Sequence, residues 1–201
     1  MRKAILHLKK ADPLLGRLIE AIGPYRIELR PAEFETLVRS IVFQQLSGKV
    51  ARVIYQRLEA AVPGGKITPE SILKLRPQRM RGIGLSQQKV SYIRDLASRT
   101  RAGEVNFALL PAASDDEVIT ALTGVKGIGV WTAQMFLIFA LARPNVLPTG
   151  DLGIRKAMQN VYGLPELPKP STMEELAAPW RPYCSVASWY LWRSLDGVAG
   201  L

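Results

Sequence analysis

The chain has 201 residues, 48% of them hydrophobic, with 27 Lys plus Arg against 17 Asp plus Glu and a formal charge of +10. That length and apolar content exclude a disordered chain and suit one domain, or two small lobes, with a real core. The lone cysteine, Cys184, and the lone histidine, His7, exclude an internal disulfide and four-cysteine zinc or iron–sulfur sites and argue against Ser/His/Asp chemistry.

Any catalysis must therefore run on carboxylates, hydroxyls, amines or the backbone. The basic excess suggests a polyanionic partner, met on a folded face because no run of like charges forms a tail. Met1 to Lys10 is too short and too interrupted by lysines for a signal peptide, and no apolar run approaches a membrane span. The expectation is a cytoplasmic protein close to the nucleoid, with no membrane contact. Cys184 is expected to be a reduced, buried small hydrophobe.

Hydrophobic periodicity is helical almost throughout. Asp12-Pro13 reads as an N-cap with proline in the first turn, Leu14, Leu15, Leu18, Ile19 and Ile22 form one face, and Gly23 stops the helix. Phe34, Leu37, Val38, Ile41 and Val42 make the next stripe. Gln44-Gln45-Leu46-Ser47-Gly48 interrupts it, and Val50, Val53, Ile54 and Leu58 resume it. Thr68-Pro69-Glu70-Ser71 starts a short helix, and Ser86 caps a longer one carrying Val90, Ile93 and Leu96. Ser114 with Glu117, and Ser171 with Glu174, have the spacing of capping boxes. A last helix is expected from about Pro182 to Leu195. Strand alternation is scarce, so about ten helices and little or no sheet are predicted. Gly82-Ile83-Gly84 faintly echoes Gly127-Ile128-Gly129.

The most specific stretch runs from Leu122 to Ala133, with Gly124-Val125-Lys126-Gly127-Ile128-Gly129 between a capped helix and a long apolar one. Glycines let the chain turn tightly and bring backbone N–H groups to the surface. At a helix start those groups are unpaired and lie at the positive end of the dipole, which makes a phosphate seat without sequence preference. Gly124, Lys126, Gly127, Gly129 and Thr132 are the residues assigned to it. Ile128 is expected to point inward. The bland alternative is an ordinary glycine-rich turn between helices.

Asp151, in Pro148-Thr149-Gly150-Asp151-Leu152-Gly153, stands where a new helix should begin. An N-cap is the structural role of an Asp there, and an anion at that end is stabilised. A fixed carboxylate beside a sugar is also what N-glycosidic cleavage requires. It stabilises the oxocarbenium-like state and orients the attacking water, an effect of about 3–4 kcal/mol in other enzymes. A base already made cationic by alkylation needs no general acid.

Together, Val125 to Ala133, Pro148 to Asp151, Trp180-Arg181-Pro182-Tyr183, Leu8 to Asp12-Pro13 with Leu18-Ile19, and Ile41 to Ser47 resemble the helix-hairpin-helix DNA glycosylase superfamily. The similarity covers nearly the whole chain, and the branch it is most like is that of the 3-methyladenine DNA glycosylase II type. The resemblance implies an all-α fold of two helical lobes with a helix-hairpin-helix motif and a DNA-binding cleft between them. The lobes are expected at 28–110 plus a hairpin region 111–145, and at 1–27 plus 146–201. It implies a monofunctional base-excision enzyme that flips alkylated purines (3-methyladenine or 7-methylguanine) from double-stranded DNA and acts as a monomer. Asp151 becomes the catalytic carboxylate.

Lyase-active relatives carry a Schiff-base lysine at the position of Trp131, so strand nicking by that route is not expected. No iron–sulfur cluster is expected, whereas a structural Na⁺, K⁺ or Mg²⁺ on hairpin carbonyls is. Many relatives place an arginine where Cys184 stands. Trp131 and Trp192 correspond to base-pocket positions, with Tyr25 as a third; aromatic faces attract a cationic base by about 0.5–2 kcal/mol. Trp180 and Trp189 read as core. Gln45 is the first choice to plug the vacated duplex, then Gln44 and Leu46, with Gly82 to Leu85 as a second wedge. Lys49, Arg52, Arg81 and Lys89 are candidate phosphate contacts, each read equally well as a solvated surface charge. Two alternatives stay open: a glycosylase for uracil, a mismatch or an oxidised purine, and a non-catalytic DNA-binding module.

Overall fold

The computed structural model describes residues 1–196. Its described residues form twelve α-helices: α1 (Arg2–Ala11), α2 (Pro13–Ile22), α3 (Phe34–Phe43), α4 (Gly48–Ala61), α5 (Pro69–Lys74), α6 (Pro77–Gly82), α7 (Gln87–Arg101), α8 (Asp115–Thr123), α9 (Val130–Phe139), α10 (Leu152–Tyr162), α11 (Pro170–Ala177) and α12 (Cys184–Ser194). Two short 3-10 turns, Pro63–Gly65 and Ala178–Trp180, complete them, and no strand occurs among the described residues. None of these helices is long and apolar enough to cross a membrane.

Five of the described helices, α2, α5, α7, α8 and α10, start where a polar side chain takes up unpaired N–H groups. Thr68 and Ser71 form a reciprocal box at α5, Ser86 accepts from Lys89 N–H at α7, and Ser114 with Glu117 forms the box of α8. The Ser171–Glu174 spacing is not a box. Pro170 opens α11 after Lys169, which puts Ser171 inside the first turn, and Glu174 pairs instead with Arg181 at 2.6 Å. Proline at the first helical position overrides the cap signal one residue later.

The chain divides into two compact units. One comprises Met1–Leu29 with Leu137–Leu201, the other Arg30–Phe136. The division falls inside α9, so residues 137–145 group with the terminal unit rather than with the hairpin region as expected from sequence. The apolar helix α9 has no polar face on which a boundary could be read.

In the terminal unit, α12 packs on α2 and α10 around buried Leu15, Leu18, Ile154, Met158, Ala187 and Tyr190. Trp180 is fully buried there and Trp189 nearly so, as expected of core residues. Cys184 is fully buried, and desolvation pushes its thiol up to about 11, consistent with an inert core residue. In the central unit, α7 packs on α3, α5 and α6, burying Val90, Ile93 and Leu96 against residues such as Leu37, Ile41 and Ile72.

One buried carboxylate ties the terminal unit together. Asp12 Oδ1 accepts the N–H groups of Leu14 and Leu15 at 3.0 Å each. Its Oδ2 accepts the Tyr162 hydroxyl and, at 2.9 Å, the Trp180 indole N–H. The cap of α2 thereby holds the last residue of α10 and the turn before α12. Burial first, then the bond to Asp12, raises the Tyr162 hydroxyl far above its ordinary value, so it remains a donor. The Tyr162→Phe variant is expected to lose about 1–3 kcal/mol of stability, because it leaves part of a buried charge unsatisfied. Chemical denaturation against the parent protein measures this.

Candidate functional site

Asp151 is nine-tenths buried and caps α10. Its Oδ1 accepts the Ile154 N–H at 2.8 Å and the Trp192 indole N–H at 3.0 Å. The cap bond holds the carboxylate from its own helix, and a second donor on the same oxygen from a different element restricts its orientation further. Trp192 is itself held, its ring lying 5.7 Å from that of Phe139 and tilted by 32°.

Gly153 makes this approach feasible. A Cβ there would meet Asp151 Oδ1 at 3.0 Å and Trp192 Cδ1 at 3.3 Å, so the hydrogen is the largest substituent the pair accepts without shifting. Sequence reading assigned Trp192 to stacking and did not find Gly153. The structure gives the Trp192 indole N–H a different task, that of orienting the carboxylate.

The other aromatic residues distribute differently. Trp131 is 47% exposed near the start of α9 and belongs to the central unit. Tyr25 packs edge-on against Trp189 at 4.8 Å and tilted against Tyr190 at 6.1 Å, so its ring serves the core of the terminal unit. Burial pushes its hydroxyl up to about 12. His7 is engaged as well, with its Nε2 3.0 Å from the Pro179 carbonyl oxygen and its ring against Tyr183.

The hairpin joins α8 to α9. Val125 and Ile128 are buried, while Gly124, Lys126, Gly127 and Gly129 are exposed. The Gly129 carbonyl accepts from Ala133 N–H, so α9 opens immediately after Gly129 and its first-turn N–H groups have no acceptor within the helix. Among the described residues, no hydrogen bond takes up the N–H groups of Gly127 and Gly129. The Lys126 N–H is spent on Asp95 Oδ2 at 2.9 Å, which leaves only its side chain for an anion. Thr132 is buried, so its hydroxyl is not presented at the surface. The described residues contain no cluster of three or more His, Cys, Asp or Glu suited to a metal, and a cation at the hairpin would have to use backbone carbonyls.

The Gln44–Ser47 turn sits beside this hairpin. Gln44 Nε2 donates to the Gly127 carbonyl at 3.0 Å, which makes Gln44 a brace between the turn and the hairpin. Gln45 is exposed and has a φ of +55°, a left-handed conformation that a side chain other than glycine adopts at a cost. Leu46 is 37% exposed. Lys89 is not available to a phosphate: its Nζ donates to the carbonyl oxygens of Val42 and Gln44, both at 2.7 Å.

Residues 38–182 match the family model for HhH-GPD superfamily base excision DNA repair proteins. DNA-3-methyladenine glycosylase 1 of Schizosaccharomyces pombe is 34% identical, over 96% of this chain and 87% of that protein. The structure of a 3-methyladenine DNA glycosylase from that yeast in complex with abasic DNA superposes with a TM-score of 0.85 at 32% identity, covering 99% of this chain and 100% of that one. The crystal structure of a DNA-3-methyladenine glycosidase from Bacillus halodurans gives a TM-score of 0.89 at 36% identity, covering 98% and 90%.

The hairpin geometry is sharply constrained at one position. Gly127 has a φ of +79°, and a Cβ there would lie 2.0 Å from Tyr92 Cδ2 and 2.3 Å from its Cε2. Gly127→Ala is expected to destabilise the protein by about 1–3 kcal/mol through overpacking and backbone strain, read as a lowered denaturation midpoint.

Proposed function

Because the chain belongs to the HhH-GPD superfamily of base excision DNA repair proteins, we propose that it is a monofunctional DNA glycosylase that releases alkylated purines of the 3-methyladenine and 7-methylguanine type from duplex DNA. The observation that carries this reading is the Asp151 carboxylate, held by the Ile154 N–H and the Trp192 indole N–H at the start of α10. Support for the substrate class comes from relatives named as 3-methyladenine glycosylases at 31% identity or more.

In the proposed reaction the bond from C1′ to the base nitrogen breaks, and the bonding electron pair leaves with the base. Positive charge develops on the deoxyribose, and Asp151 stabilises it electrostatically. Water then adds its oxygen to C1′ and passes a proton to the Asp151 carboxylate, which orients it and afterwards releases the proton to solvent. The products are a free base and an abasic site. A purine already made cationic by alkylation, as in 3-methyladenine or 7-methylguanine nucleotides, departs as a neutral molecule, so no acid is needed. This fits a chain whose one histidine is committed to Pro179 and Tyr183.

Trp131, 47% exposed, is the proposed aromatic contact for a cationic base. Having no amine, it forms no Schiff base, and strand cleavage by that route is not part of the activity. Gln45 is the proposed plug, and the exposed amides of Gly127 and Gly129 with Lys126 the proposed phosphate seat. A monovalent or divalent cation on hairpin carbonyls belongs to the same reading.

The test is incubation of the purified protein with methylated duplex DNA and identification of the released bases. Asp151→Asn is expected to lose base release by about a hundredfold or more while still binding duplex. Release of only uracil or 8-oxoguanine replaces the alkylation reading, and unchanged release by Asp151→Asn removes the carboxylate from the chemistry. Gly153→Ala is expected to lower the single-turnover rate by about tenfold or more with little change in duplex affinity, because it displaces an oriented group rather than a binding contact. Quench-flow excision assays alongside anisotropy titrations read the two effects separately.

A further inference from the structure

Three residues of α7 reach into the two surfaces assigned above to DNA. Lys89 holds the carbonyls of Val42 and Gln44, Tyr92 lies under Gly127, and Asp95 accepts the Lys126 N–H. Positions 89, 92 and 95 recur at the three-residue spacing that keeps side chains on neighbouring turns of one side of a helix. Asp95 is steadied in turn by Arg99 at 3.1 Å, one turn further on.

The Lys89 ammonium has a specific task at the far end. The last carbonyls of α3 lack intrahelical partners, and a cation at a helix C-terminus satisfies them and complements the dipole. The Gln44 carbonyl belongs to the peptide that enters Gln45, the residue at φ +55°. That conformation costs about 1–2 kcal/mol for a residue with a Cβ, so its neighbours must hold it. Lys89 from one side and the Gln44 amide on the Gly127 carbonyl from the other do so.

We propose that Lys89 is a positioning residue that locks the Gln45 turn onto the helix supporting the hairpin, so that plug and phosphate seat form one rigid body. This rests on the reading of Gln45 as the plug and of the hairpin as a phosphate seat. Lys89 touches no DNA in this scheme. It presets the geometry in which Gln45 enters the duplex, so the cost of ordering the turn is met during folding and not during binding.

The experiment is a double-mutant cycle with Lys89→Met and Gln45→Ala in the full chain. The probe is a duplex containing a tetrahydrofuran abasic analogue with 2-aminopurine beside it. Its fluorescence reports filling of the gap and needs no excision, so a failed glycosylase reading shows separately, as no base release from methylated DNA by the parent protein. Lys89→Met is expected to reduce the fluorescence response at saturating protein, and to weaken binding to the abasic-analogue duplex by about tenfold in the parent background. In the Gln45→Ala background it should have no further effect, and Lys89→Arg should restore most of the response.

Equal losses in both backgrounds overturn the proposal, as does an unchanged response in Lys89→Met or the absence of any response in the parent protein. If Lys89→Met does not fold, Lys89→Gln, which keeps a donor, takes its place in the cycle. If neither folds, Lys89 supports the whole unit rather than the plug, and the proposal is overturned.

Discussion

Every short helix leaves unpaired N–H groups at one end and unpaired carbonyls at the other, and the twelve among the described residues must settle many such ends. Asp12 and Asp151 settle two N-termini, and Lys89 settles a C-terminus. Before α9, the exposed Gly127 and Gly129 keep N–H groups that no hydrogen bond among the described residues takes up. Structural role and proposed chemistry therefore share one cause. The same partial charges that demand a cap also place an anion at α10 and offer a seat to one before α9.

The two aspartate caps show how context divides that role. Asp12 spends both oxygens on protein donors, four in all, and becomes a knot in the core. Asp151 has two donors converging on Oδ1, one from its own helix and one from Trp192. A carboxylate oriented from two elements is preorganised, and preorganisation allows a fixed charge to act on a developing one without paying for rearrangement at the moment of reaction. Gly153 belongs to this arrangement as much as the charged residue does, since its missing Cβ sets how closely carboxylate and indole approach.

Much of this was legible along the chain. The caps at Asp12, Thr68, Ser86, Ser114 and Asp151 and the inward Ile128 follow from local chemistry, because cap and capped amide lie within three residues of each other. The Ser171–Glu174 pattern misled because proline moved the helix start and Arg181 claimed the glutamate. Lys89 looked like one more surface cation, and nothing in its neighbours in sequence distinguishes it from Lys49.

Local pattern by itself determined the all-helical class, the glycine-rich turn between α8 and α9, and the carboxylate at the head of α10, because hydrophobic period, capping and turn chemistry act over a few residues. Only the tertiary structure decided which side chains serve these features. Trp192 reaches Asp151 across 41 positions, Lys89 reaches Gln44 across 45, and Gln44 reaches Gly127 across 83. Such pairings depend on where packing brings helices together, and a hydrogen bond between residues so far apart leaves no periodic trace in the chain that makes it.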